Sequence, residues 1–193
     1  GILTRHTTAG GKNLTVESST ISAGGNGFDL LTSAGEPYLK FNNNTVTATS
    51  DAISIVRSSG QLIITAFANN QVSGDTGGNG AIIQSAQFDA APGGGLDQVN
   101  LGLFTIGEAG NPVGGSGLVI TESSGNLNFT VLRIHAQGDY GLRSSRSAYQ
   151  ANAHLITIAD GQGTITASKG AAVSLTNLDI NAPNLALTST NSP

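Results

Sequence analysis

The stretch with the most chemical promise is "GGNGFDLL" (24–31), which fits the calcium-binding nonapeptide pattern G-G-x-G-x-D-x-U. In that chemistry, turn glycines let backbone carbonyls and the Asp29 carboxylate close around a hard cation. The cation also needs ligands from the following turns, about nine and eighteen residues on. Nothing similar stands there, and the sibling stretches "GGNGAII" (77–83) and "GGSGLVI" (114–120) lack the aspartate. These glycines therefore read as chain-winding positions that need positive φ, and no metal or other cofactor is expected. His6, His135 and His154 stand singly, without a second His or Cys at ligand spacing. His135 follows Ile134 in an alternating run and is expected to face solvent. No G-x-S-x-G elbow supports a Ser/His/Asp nucleophile.

Hydrolysis of glycosides needs paired carboxylates. The twelve acidic residues are dispersed, with no two adjacent or two apart. The best cluster, Arg143 and Arg146 near Asp139, is explained equally well by surface charge pairing. Tryptophan is absent, and Tyr38, Tyr140 and Tyr149 form no row on which sugars would stack. Asn13, Asn43 and Asn128 open N-x-S/T triplets, which an Asn- and Thr-rich chain produces by chance. The expectation is a non-enzyme.

Whatever these residues do, the elements that position them are strands. Charged residues make up only 10% of the 193, Gly numbers 27, and Ile, Val and Thr are plentiful. Those β-branched types favour a pleated, half-buried surface, so the chain reads as all-β. The absence of Cys excludes disulfides and thiolate metal sites. A net charge of -4 without a Lys/Arg cluster argues against nucleic acid. No apolar run is long enough for membrane insertion. The first residue is Gly rather than Met, so a processed chain or a segment of something longer is expected.

Three stretches align: "GFDLLTSAGEPYLKF" from Gly27, "DAISIVRSSGQLIITAF" from Asp51 and "GLVITESSGNLNFTVL" from Gly117. Each opens with Gly or Asp and a short apolar strand. A small-residue turn follows, closed at Gly35, Gly60 or Gly125, and then a second strand. Further units open at Gly1, Gly80, Gly141 and Gly170, giving spacings of 26, 24, 29, 37, 24 and 29. The excess over about 25 falls in the Gly/Ser/Asn/Pro-rich segments 69–80, 89–98, 106–117 and 144–154, which read as surface turns.

Units of this length cannot bury their own apolar faces, so they stack around one shared core. Residues 1–193 are thus expected to form one solenoid domain of about seven coils, roughly 34 Å long at about 4.8 Å per layer. The alternative is an antiparallel β-sandwich, with "SSGQ" and "SSGN" as hairpin turns. A coil explains a phase slip that a flat strand cannot. Leu127, Phe129 and Val131 alternate, and then Leu132 and Ile134 continue one position out of step. A corner between Val131 and Leu132 would return both sets to the same core. Thr176 and Asn177 mark a comparable slip. "FNNN" (41–44) and "FANN" (67–70) place Phe41 with Asn44, and Phe67 with Asn70, in neighbouring coils. Stacked Phe inside and stacked Asn at a corner are expected.

"SKGAAVSLTNLDINAPNLALTST" (168–190) resembles the Gly-opened, Leu/Ile-alternating coils of right-handed parallel β-helix passenger domains. That family comprises autotransporter passengers and filamentous-haemagglutinin-like exoproteins. The pairing of "FANN" with "GGNGAII" is similar to the FxxN and GGAI repeats of polymorphic autotransporter adhesins. The resemblance implies a right-handed winding and a secreted or outer-membrane-associated bacterial surface adhesin. Its partners would be a host surface protein or glycan, or another copy of itself. Contact is expected through lateral faces and loops, notably 69–80, 89–98 and 144–154. The runner-up is a polysaccharide lyase or hydrolase of the pectate-lyase-like class, which the same winding often hosts.

Overall fold

The computed structural model describes residues 1–94, 97–149 and 154–190, and every regular element in them is a β-strand. The first coil holds β1 (Ile2–His6), β2 (Gly11–Glu17) and β3 (Thr20–Ala23). The second holds β4 (Phe28–Thr32), β5 (Glu36–Asn42) and β6 (Thr45–Ala48). The third holds β7 (Ile53–Arg57), β8 (Ile63–Ala66) and β9 (Gln71–Val72). The fourth runs through β10 (Ala81–Gln84), β11 (Gln87–Phe88) and β12 (Gln98–Ile106), and the fifth through β13 (Leu118–Thr121) and β14 (Asn126–Ala136). The sixth has β15 (Tyr140–Ser145), β16 (Leu155–Ile158) and β17 (Gly163–Ala167). The last has β18 (Ala171–Thr176), β19 (Asp179–Asn181) and β20 (Ala186–Ser189).

One strand per coil builds the first face, a seven-stranded sheet in the order β1-β4-β7-β10-β13-β15-β18. A four-stranded sheet, β11-β8-β5-β2, forms the second face of the early coils. The third is a nine-stranded sheet, β19-β16-β14-β12-β9-β6-β3, with β17 joining β14 to β20. Every one of these strand pairs is parallel, so the fold is a parallel β-solenoid of about seven turns. The antiparallel sandwich is therefore excluded. "SSGQ" and "SSGN" are corners rather than hairpins. Gly35, Gly60 and Gly125 sit there at φ 70°, 73° and 88°, and the Gln61 amide donates to the Gly35 carbonyl one coil below.

The phase slip is a corner inside one strand. In β14, Phe129 and Leu132 are buried while Thr130 is exposed and Val131 half-buried, which centres the turn on Thr130 and Val131. The first half of β14 pairs with β16 and the second with β17. In the coils below, the same corner is taken by Ser18, Asn43, Asn69 and Gly102, at φ 51°, 55°, 56° and 56°. Asn tolerates this left-handed conformation better than most side chains.

Just inside that corner runs a buried amide ladder. Asn70 Nδ2 donates to the carbonyls of Phe41 (2.8 Å) and Phe67 (3.0 Å). Asn70 Oδ1 accepts from the backbone amide of Asn44 (3.1 Å) and from its Nδ2 (3.2 Å). Asn44 repeats the pattern one coil down, accepting from the Ser19 amide (3.1 Å) and donating to the Val16 carbonyl (3.0 Å). Beside it, Phe28, Phe41, Phe67, Phe104 and Phe129 touch in succession at centroid distances of 4.7, 5.5, 5.6 and 6.3 Å. Such contacts add to plain area burial.

The coil-opening glycines have a different reason from the expected one. None of Gly27, Gly80, Gly117 and Gly141 has positive φ. They lie in one column with Ala52 and Ala172, at the junction of the first and third faces. A Cβ on Gly27, Gly80, Gly117 or Gly141 would come within 2.4, 2.3, 2.2 or 2.4 Å of the side chain of Val46, Ile106, Ile134 or Ile165. The small residue is demanded by close approach across the core, not by backbone conformation.

Candidate functional site

The outward positions of the third face form two columns in register. One runs Thr20, Thr45, Gln71, Thr105, Arg133, Thr164; the other includes Ser22 and Thr47 below, His135 and Thr166 above. Alternation in each strand fixes this, because the residue between the columns, such as Val46 or Ile134, points into the core. Between the hydroxyl-rich ends lies a groove of about 330 Å³ lined by Gln71, Leu103, Thr105, Glu108, Arg133 and His135.

Its wall is a tight turn in which Glu108 and Asn111 exchange backbone hydrogen bonds of 2.9 and 3.0 Å. The Gly107 amide ties the turn to the Val72 carbonyl (2.9 Å), and Asn111 Nδ2 ties it to Asp75 Oδ1 (2.9 Å). Gly107 must be glycine: its φ is 65°, and a Cβ would lie 2.4 Å from the His135 carbonyl.

His135 is half-buried rather than fully turned to solvent. The Thr166 hydroxyl lies within hydrogen-bond distance of both the Ile134 carbonyl (3.3 Å) and His135 Nδ1 (3.0 Å). His135 Nε2 makes no hydrogen bond to another described residue. Burial, and then the Arg133 charge, hold the imidazole below its ordinary pKa, while Glu108 acts the other way. Arg133 makes no ion pair or side-chain hydrogen bond with another described residue. The site thus offers one unpaired cation, an imidazole, an amide, a hydroxyl and an exposed aliphatic side chain.

The other residues singled out by sequence lie elsewhere. Asp29 is in a strand and pairs with Arg5 (3.3 Å), and no group of three or more His, Asp or Glu side chains converges among the described residues. Arg143 lies over the Tyr140 ring at 5.1 Å. Segment 69–80 is largely packed, with Asn70, Val72, Gly74 and Thr76 buried, yet it supplies Gln71 to the groove. Segment 89–98 is exposed at 90–94 and 97–98, and 95–96 lie outside the described residues. In 144–154, Ser147 donates to Glu122 (3.1 Å) and Tyr149 to Asp179 (3.2 Å), and 150–153 lie outside the described residues.

Ser144 and His154 form a buried pair. His154 Nδ1–H donates to the Gly125 carbonyl (2.7 Å), leaving Nε2 to accept from the Ser144 hydroxyl (3.3 Å). With the two side chains 1% and 2% exposed, no substrate reaches them, and the pair is a structural clamp. Burial holds the His154 imidazole below its ordinary pKa of 6.5, reinforced by Arg146 and opposed by the Gly125 bond. A base with a depressed folded pKa contributes stability that is complete above its unfolded pKa and lost as pH falls below it. Thermal denaturation is therefore expected to show a falling melting temperature from about pH 6.5 downward, and His154→Gln should remove some of that fall. A flat profile down to pH 5 in the unsubstituted chain would contradict the assignment.

No family model, curated protein or solved structure matches this chain.

Proposed function

We propose that the chain is a non-catalytic segment of a secreted or surface-bound bacterial attachment protein, wound right-handed, that holds a lateral binding face away from the cell. The observation that carries this reading is the third face itself. Two outward columns of Thr, Ser, Gln, Arg and His are held in register by a rigid parallel sheet, over a core filled with Phe, Ile, Leu and Val. A weakly charged surface rich in hydroxyls suits hydrogen-bonded contact with a host glycan or protein. Beads coated with residues 1–193 are expected to attach to matrix or to glycan-bearing cells, and uncoated beads are not. Attachment indistinguishable from uncoated beads would refute the reading. Deleting 89–98 tests whether that segment shares in the contact, and unchanged attachment would exclude it.

Contact with a second copy would use the same lateral face, where Leu103 is 44% exposed among the outward hydroxyls. Concentration-dependent sedimentation is the expected sign, and a monomer at all concentrations would exclude it. The enzymatic alternative, polysaccharide cleavage, has one feature in its favour: the His135 imidazole beside Arg133 in an open groove. A uronic-acid lyase assay decides, since clear turnover would replace the attachment reading.

A further inference from the structure

Resting on the attachment reading, we propose that the groove on the third face is a saccharide site for a glycan carrying isolated carboxylates, such as a chain in which a uronic acid alternates with a neutral sugar, and that Arg133 is its anion ligand. Arg133 is exposed on the central region of the sheet, in register between Thr105 and Thr164, and no described residue neutralises it. A planar guanidinium matches a carboxylate through two parallel hydrogen bonds. The rest of the lining supplies what the remainder of a sugar needs. The His135 imidazole, Gln71 and Thr105 offer hydrogen bonds to hydroxyls, and Leu103, 44% exposed, covers the C–H face of a ring.

The charge balance selects among anionic glycans. Glu108 lines the same groove and the chain carries a net charge of -4, so a densely sulfated polymer meets repulsion beyond its first anion. One carboxylate per recognised unit fits a lone cation. At about 330 Å³ the groove is at the lower end of small-ligand sites, which suits a short segment of glycan rather than a whole chain. The Thr and Ser positions above and below would carry the flanking sugars.

The test is calorimetric titration of the 193-residue chain with three probes: hyaluronan hexasaccharide, unsulfated chondroitin hexasaccharide, and heparin hexasaccharide. At least one of the first two is expected to bind saturably, and heparin more weakly. Reducing the carboxyls of the bound probe, or substituting Arg133→Gln, is expected to weaken binding tenfold or more. Arg143→Gln, on the first face, should leave it unchanged, and circular dichroism should confirm that both variants fold. Saturable binding of neither uronic-acid probe, equal binding by Arg133→Gln, or tighter binding of heparin would overturn the proposal. The bead assay separates this failure from that of the attachment reading. Beads that still attach with Arg133→Gln show contact made elsewhere on the surface, and the groove proposal alone falls.

Discussion

Alanine at position 117 is expected to lower the melting temperature by roughly 10 °C, from a destabilisation of about 3 kcal/mol. The added Cβ would stand 2.2 Å from Ile134 Cγ2 and 2.5 Å from the Gly141 carbonyl oxygen. The side chain can rotate away only into a core that is already full, and the carbonyl is fixed by the next coil. Overpacking of this kind is relieved by backbone shifts, and here a shift must separate neighbouring strands of the first face. Pairing Gly117→Ala with Ile134→Ala should recover only a fraction of the loss, because the carbonyl contact remains. Gly24→Ala is the control: its Cβ would meet nothing within 4 Å, so the melting temperature should stay within a degree or two. Equal effects at 117 and 24 would refute the close-approach explanation of the glycine column.

Asn70→Ala is expected to cost still more, roughly 4 kcal/mol, since each buried polar group left unpaired costs about 1–3 kcal/mol. The Phe41 and Phe67 carbonyls lose their donor, and the Asn44 amide loses its acceptor. All lie at a corner where Asn44 and Asn70 are each 1% exposed, so water cannot replace the missing bonds without opening the coil. Asn70→Asp keeps an acceptor but sets carboxylate oxygens against two carbonyls, and should be no better at neutral pH. Denaturant unfolding of both variants, beside the exposed Asn13→Ala, measures this. A loss under 1 kcal/mol for Asn70→Ala would mean that the ladder is decorative rather than structural.

These two sites show which features can be read in the chain before its fold is known. The Phe–x–x–Asn pairs are legible because both members lie within one corner and recur in the next coil. The glycine openings are legible as positions, since each precedes or enters a strand of the first face. Their cause is not, because it depends on Val46, Ile106, Ile134 and Ile165 reaching across the core from another sheet. The corner in β14 can be located to within a residue of its observed centre, since burial must change phase there. The groove is not legible at all. Gln71, Thr105 and Arg133 belong to three different coils, separated by insertions of unequal length, and only the strand register aligns them. His135 reads as solvent-facing because alternation gives its direction but not Thr166, which packs beside it from the following coil.

The chain has no cysteine, so paired cysteines introduced on the outer surface report coil stacking directly. Thr20 and Thr45 are in-register neighbours in adjacent coils, which puts their Cα atoms about 4.8 Å apart, inside disulfide range. Thr20 and Thr47 are offset by two further residues along the strand, roughly 8 Å apart and outside it. Mild oxidation of the folded protein is expected to cross-link the 20/45 pair nearly completely and the 20/47 pair hardly at all. Failure of the 20/45 pair to close, or equal closure of both, would contradict a chain wound in stacked parallel coils.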